Sequence, residues 1–480
     1  MAVDRTVRSP FMIVVPVCVM HIFWHQRDLR TRDNLGLAVA ARDETVLPVY
    51  VYDTEVLEHV GRRQRSLMMR GVRKLTERYR ELGSDLIVRG GDSADVLASL
   101  CAEHDVETVY YNDHYRPARR QAQQRVEEQL TADGVTTDSR TDLVLVDPER
   151  LESSYPNHSQ FHNDWENVPK ATPYDEPDED ALAEIQDGKT VPIPEVDIEL
   201  PAAGYEAARE RFDDFLDTGI LSYSDTRDDL PKAVTDPTAA VSRLSPYLAT
   251  GMIGIRDVWA GASELYNAVS GQERRNVDKY RYELSWREQN YHLLYYNPNL
   301  GRENYVDFPN EIAWRNNEAD LAAWKAGETG YPLVDAGMRQ LDREGYIHNR
   351  PRQVVASFLT KHLLIDWREG ARHFRQQLVD HDYASNSGGW QWTASTGTDS
   401  VDVRIFDPVS QASKYDDGAQ YITEYVPELR DVPADKIIDW PTLSAGERDR
   451  LAPEYADPIV DRNQGYERAQ ETFETALGKR

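Results

Sequence analysis

The chain has 480 residues, with 55 Lys and Arg against 83 Asp and Glu (net charge -28), and is 40% hydrophobic and 10% aromatic. That length and apolar content suit two compact lobes and exclude a small crosslinked scaffold. Cys18 and Cys101 are the only cysteines, so no disulfide framework or thiolate zinc site can form, and the longest nearly apolar run, residues 11–20, contains Pro16 and is too short to span a membrane. A reducing cytoplasm, away from any membrane, is the expected location. Arg5 and Arg8 ahead of that run have the look of a secretory signal, but His21-Ile-Phe-Trp-His-Gln-Arg27 reads as a first core strand and offers no small-residue cleavage site. Met20 is therefore the expected functional start, with residues 1–19 an extension.

From His21 onward, β-rich runs at His21–His25, Val46–Tyr52, Asp85–Arg89, Glu107–Tyr111 and Asp142–Val146 alternate with helical patterns. This is βαβ logic. It predicts an α/β lobe over residues 20–147, a Rossmann-like parallel sheet covered by helices. One such helix starts at Arg62 and stops at Gly83. The turn Arg89-Gly90-Gly91-Asp92 lies between a strand and a helix, where backbone amides can face a ligand. Residues 148–204, acid-rich at 174–187 and proline-rich at 191–201, read as an interdomain connector. Residues 205–480 lose the strand pattern and predict an all-helical lobe.

A nucleic-acid binder normally carries net positive charge, and this chain carries the opposite. The acid is spread over the whole chain, lysine is scarce, and the bases are mostly arginine, as in proteins of a salt-loving organism. In molar salt the screening length is only about 3 Å. Net charge therefore does not exclude DNA, and local arginines must decide.

Three constellations carry chemistry. Glu283, Trp286 and Arg287 are spaced i, i+3 and i+4, so on a helix they share a face; spacing alone favours a surface ion pair beside a core tryptophan, and it is the neighbouring motifs that argue for a site. In Asn349-Arg350-Pro351-Arg352 at least one arginine must point inward and needs a carboxylate, which Asp380-His381-Asp382 can supply. Asn386-Ser387-Gly388-Gly389-Trp390-Gln391-Trp392 pairs two glycines, which let backbone pass close to a bulky planar ligand, with two indoles aimed in nearly opposite directions.

With these residues in view, the sequence resembles the DNA photolyase and cryptochrome superfamily, most closely the class I cyclobutane pyrimidine dimer photolyases. The resemblance runs from Met20 to the C-terminus and rests on Phe23-Trp-His-Gln-Arg-Asp-Leu-Arg30, Ser242-Arg-Leu-Ser-Pro-Tyr-Leu-Ala-Thr-Gly251, Trp286-Arg-Glu288, Thr329-Gly-Tyr-Pro-Leu-Val-Asp-Ala-Gly-Met-Arg339, Ala356-Ser-Phe-Leu359, Leu364-Ile-Asp-Trp-Arg-Glu-Gly370 and Gly388-Gly-Trp-Gln-Trp392.

The resemblance implies an enzyme that repairs dimers in UV-damaged DNA by light-driven electron transfer from reduced FAD, acting as a monomer without a metal. By the same matching, Tyr223, Val241, Ser242, Arg243, Leu244 and Ser245 hold the FAD phosphates. Arg352 pairs with Asp380 beside the flavin, His381 and Asp382 line it, and Asn386 faces its N5. Trp390, Trp367 and Trp314 form an electron relay, and Glu283, Trp286 and Trp392 receive the flipped lesion. Arg227, Arg287, Arg350 and Arg404 match phosphate contacts, and Asn349, Gln353 and Gln411 match further DNA contacts.

Three departures stand out. Val241 replaces a hydroxyl residue, Gln353 replaces a methionine, and the loop Ser400–Val403 is short and followed by Asp407 in place of asparagine. Gln353 and that loop favour the alternative, a cryptochrome-like blue-light photoreceptor with weak or no repair. A deazaflavin or a folate would each suit an antenna site in the first lobe.

Overall fold

A computed structural model describes residues 20–42, 44–399 and 403–479. The expected extension before Met20 and residues 400–402 of the altered loop lie outside the described residues. The strands are β1 (Met20–His25), β2 (Thr45–Tyr52), β3 (Ile87–Gly90), β4 (Val106–Asn112) and β5 (Thr136–Arg140). All pair in parallel, in the order β3-β2-β1-β4-β5. The central strand carries Ile22, Phe23 and Trp24, buried on alternate faces, as a parallel sheet covered on both sides requires.

The fifth strand corrects the sequence expectation. Residues 142–146 form no strand, and β5 is the polar run Thr136-Thr-Asp-Ser-Arg140. An edge strand pairs on one side only and needs no apolar alternation. The apolar run Leu143–Val146 instead packs toward the helical lobe, where Glu288 Oε2 accepts the Leu145 and Val146 N–H groups at 2.7 and 3.3 Å.

On one face of the sheet, α2 (Ser93–His104) and α3 (Pro117–Ala132) bury Leu97, Leu100, Val126 and Leu130 against Ile22 and Trp24. On the other, α1 (Arg62–Glu81), ending before Gly83 as the pattern predicts, brings Leu67, Met68 and Val72 into a core shared with the helical region. The connector is more than a tether, since it holds the ten-residue helix α4 (His158–Asn167), whose Phe161 and Trp165 are fully buried in that shared core.

Past residue 204 all described elements are helical. Those that build the site are α5 (Ser245–Thr250), the long α7 (Gly271–Tyr296), α8 (Asn349–Ser357), α9 (Trp367–Gln377) and α10 (Tyr383–Ala394), while α6 (Ile255–Ala268) faces the first lobe and α11 (Arg462–Ala476) lies near the end of the chain.

The loop after β1 locks the halves together. Arg27 Nη2 reaches Asp382 Oδ2 at 2.7 Å and the Leu248 carbonyl at 3.2 Å, while Arg30 donates to the Gly251 carbonyl at 3.1 Å. Gly251 ends α5 at φ 69°, and a Cβ there would stand 1.8 Å from the Arg27 carbonyl oxygen, so only glycine permits the approach. Among the described residues no helix is long and apolar enough to cross a membrane.

Candidate functional site

Two adjoining cavities lie among α5, α7, α8 and α10. The larger, about 430 Å³, has Glu283, Trp286 and Asn290 of α7 on one wall and Asn386, Trp390 and Trp392 of α10 on another, with Asn349 and Gln353 of α8 closing it. The smaller, about 200 Å³, is bounded by Arg27, Ser245, Arg287, Asp380 and Asp382. Arg352, Ser385 and Asn386 line both.

Helix α10 can occupy this position because Gly388 lets it sit close to α7, while Gly389 faces open space. A Cβ on Gly388 would meet Asn290 Oδ1 at 2.0 Å, so α10 lies nearly backbone-on against α7. Asp382 caps α10, accepting from Ser385 N at 2.8 Å. Burial alone would raise this carboxyl, but Arg27 and Arg287 beside it hold it well below the usual carboxylate range, and the Tyr291 hydroxyl donates to it. It is a fixed anion.

Trp286 and Trp392 meet edge to face, centroids 6.3 Å apart and planes at 79°, forming a right-angled corner of the larger cavity. Glu283 stands beside it, held by Arg227 and by Lys279 at 2.6 Å. Gln353 has its Oε1 occupied by Arg350 Nη1 at 2.9 Å, and Arg350 in turn grips Asp228 at 2.9 Å. Its amide N–H groups are thus turned away from Arg350.

Where the cavities join, Asn386 donates to the Ala371 carbonyl at 3.2 Å, which leaves its Oδ1 buried without a partner, and Asp380 Oδ1, 3.6 Å from Arg352, is likewise unsatisfied. Orphaned buried acceptors are costly, and here they border open space. This pair of acceptors suits a planar group that presents N–H.

Residues 280–475 match the family described as the FAD binding domain of DNA photolyase, and residues 21–178 match the DNA photolyase family. The chain is 44% identical to a deoxyribodipyrimidine photo-lyase of Halobacterium salinarum, covering 96% of this chain and 100% of that protein. It is 36% identical to the Synechococcus enzyme of the same name, covering 92% and 94%. The chain belongs to the DNA photolyase family. Among solved structures it superposes on a bacterial class III photolyase from Agrobacterium tumefaciens with a TM-score of 0.88 at 32% identity, covering 98% and 100% of the two chains. An archaeal photolyase from Sulfolobus tokodaii, solved with two FAD molecules, matches at 0.81 and 30%, covering 95% and 100%. FAD is therefore the cofactor of the helical lobe, and the orphaned acceptors of Asn386 and Asp380 fit it.

The remaining expected residues fall into place unevenly. Ser245 reaches the smaller cavity. Leu244 is buried, Ser242 bonds Tyr280, and Tyr223 packs edge-on to Tyr280 at 5.3 Å. Half-buried Val241 precedes them, and Arg243, at φ 53°, stacks on Tyr346 at 3.8 Å and pairs with Glu344 at 3.2 Å.

His381 is on neither cavity wall. It faces the lobe interface, where burial and then Arg116 push its imidazole down to about 3, and its carbonyl accepts from Gln64 at 2.6 Å. Arg287 also departs from expectation, because its long side chain swings to Tyr291, 4.5 Å from the ring, and Glu288, 3.1 Å, on the Asp382 side. It therefore does not share the cavity wall of Glu283 and Trp286.

Arg404 lies over the Trp392 indole at 3.7 Å and donates to its carbonyl at 2.9 Å, and Gln411 Oε1 is buried without a partner. Asp407 is not a bare acid: Arg462 of α11 pairs with it at 2.5 Å and it caps the helix after Pro408, accepting from Ser410 N at 2.9 Å. Trp390 packs against Gly370, three residues after Trp367 on α9; Trp367 is fully buried and Trp314 half-buried.

In the first lobe, the amides after Arg89-Gly-Gly-Asp92 are already taken. Asp92 accepts from Ala94 and Asp95, and Asp53 from Ser93 at 3.1 Å. Sequence reasoning missed Arg27, Lys279, Asn290 and His158. Arg27 sits inside a quoted family string and Asn290 falls on the Glu283 face at i+7, signals that were present; His158 lies in the stretch read as a connector.

Proposed function

We propose that this protein repairs cyclobutane pyrimidine dimers in UV-damaged DNA, driven by light. The observation that carries the reading is the seam at Asn386, where an indole corner able to stack on two flipped-out adjacent pyrimidines adjoins the flavin cavity. The names of the relatives, deoxyribodipyrimidine photo-lyases, support it over a photoreceptor role.

Reduced FAD, when bound, supplies the photoexcited electron that opens the cyclobutane ring and takes that electron back afterwards. The chain's own residues do the rest. Trp286 and Trp392 stack on the extruded dimer and offset the lost base stacking, about 1–3 kcal/mol per base. Glu283, fixed by Arg227 and Lys279, accepts the imide N–H of a pyrimidine. Gln353 donates an amide N–H toward a pyrimidine carbonyl. Asn386 Oδ1 accepts the N5–H of the reduced flavin, and Arg352 with Asp380 flanks the ring. Trp390, Trp367 and Trp314 pass an electron inward when the flavin is oxidised.

Arg227, Arg350 and Arg404, gathered around the larger cavity, take the flanking phosphates with Asn349 and Gln411, which answers the net negative charge. Arg287 serves the cofactor side by charge. Both cavities come from one chain, which supports action as a monomer, and cytoplasmic DNA is the partner.

The test is a thymine-dimer oligonucleotide incubated with the FAD-reduced protein under blue or near-ultraviolet light. Dimers are expected to disappear in light and persist in the dark; persistence under saturating light rejects the reading.

A further inference from the structure

Helix α4 plants His158 behind the lesion corner. Its imidazole lies flat on the Trp286 indole, centroids 3.7 Å apart and planes within 6°. The residue is 2% exposed, and both ring nitrogens are engaged, Nδ1 at 2.9 Å from the Tyr282 hydroxyl and Nε2 at 3.0 Å from Ser285 Oγ.

Elimination fixes the hydrogens. Ser285 donates its only hydroxyl proton to the Tyr282 carbonyl at 2.7 Å, so its oxygen can only accept from the rings around it. His158 therefore donates from Nε2, and its Nδ1 accepts from the Tyr282 hydroxyl. His162, one turn along α4, donates from Nδ1 to the same serine oxygen at 2.9 Å. Three side chains from two helices, Tyr282, Ser285 and His162, thus hold the His158 ring plane, and that plane is the one against which Trp286 rests.

We propose that His158 is a positioning residue for repair: it backs Trp286 so that the free face of the indole is held square to Trp392 before the dimer arrives. An indole left without this backing can rotate about its side-chain bonds, and ordering it on binding costs affinity. A connector helix of the chain thus sets the shape of the lesion pocket. The proposal rests on the dimer-repair reading above.

The experiment compares wild type, His158→Ala and His158→Phe as full-length, FAD-loaded proteins. It measures dissociation constants for dimer-containing and undamaged oligonucleotides, flavin content, and repair rate at saturating substrate. His158→Ala should bind the dimer about tenfold more weakly, the scale of one aromatic stacking contact. Its undamaged-DNA binding, flavin content and saturated repair rate should match wild type. His158→Phe keeps a flat ring without the nitrogens and should recover most of the lost affinity.

Unchanged dimer affinity in His158→Ala overturns the proposal. If His158→Ala loses flavin and so fails to fold, His158→Phe decides: wild-type discrimination supports the proposal and lost discrimination overturns it. A wild type that repairs nothing in light removes the repair reading itself, a different result from a repairing wild type matched by His158→Ala.

Discussion

Replacing Arg256 by methionine should destabilise the protein strongly without touching either cavity. Arg256 lies at the interface of the lobes, its side chain 4% exposed, with Nε at 2.6 Å from Asp33 Oδ1 and Nη2 against Asp142. Those carboxylates are 0% and 1% exposed, and Arg30 supplies the second cation, 2.5 Å from Asp142. Arg256→Met keeps the aliphatic stem but leaves two buried carboxylates to share one guanidinium. Breaking such a pair costs about 3–5 kcal/mol. At about 2–4 °C per kcal/mol for domains of 150–250 residues, the unfolding midpoint should fall by about 6–20 °C.

The deficit should depend on pH. Burial pushes Asp33 up to about 6 from 3.8, against the pull of Arg256 and Arg30. A carboxyl that holds its proton more tightly when folded gives stability that falls as pH rises from about 4 to about 6. Removing Arg256 moves that upper limit higher, so the variant should lose less relative to wild type at about pH 5.5 than at about pH 8. Thermal unfolding followed by circular dichroism at both pH values, in low and in molar salt, tests this. Molar salt screens exposed pairs within about 3 Å and leaves a buried cluster nearly untouched. A midpoint unchanged at the higher pH, or a deficit that vanishes in molar salt, would refute the reasoning.

Gly388→Ala should eject or twist Asn290, whose Oδ1 would stand 2.0 Å from the new methyl carbon. The overpacking costs about 1–3 kcal/mol, and the flavin-to-protein absorbance ratio of the purified variant should drop. Trp367→Phe should stop photoreduction of the oxidised flavin but leave repair by chemically reduced protein unchanged, read by flavin bleaching and dimer loss in parallel. Gln353→Met removes one donor from the larger cavity. At about 0.5–1.5 kcal/mol for a net hydrogen bond, dimer affinity should weaken by about two- to twelvefold in a binding titration.

Much of the α/β lobe is legible in the sequence because its central strands are buried on both faces. Runs such as Ile22-Phe-Trp24 and Val46–Val51 have no other explanation between helical patterns. The fifth strand misleads for the converse reason. Its edge position tolerates Thr-Thr-Asp-Ser-Arg, while the greasier Leu143–Val146 run serves an interface whose partner, Glu288, lies far along the chain.

The site shows the same division. Residues clustered on one helix, Glu283 with Trp286 or Asn386 with Trp390 and Trp392, announce themselves by spacing. Arg287 follows that spacing yet turns toward the Asp382 anion, because a long guanidinium goes where the charge is and not where its Cβ points. His158 and Arg27 reach the site only through tertiary packing, and no local periodicity encodes it.

The loop carrying Arg27 has a consequence for how the holoprotein is made. It forms the rear stopper of the smaller cavity, pinned to Asp382 from the opposite half of the molecule. Part of the wall around the prosthetic group therefore exists only once the two halves are docked. The stopper belongs to the part of the polypeptide synthesised first, so it stands ready when the last helices close. Loosening the seam between the halves should therefore weaken the hold on the prosthetic group as well as their packing.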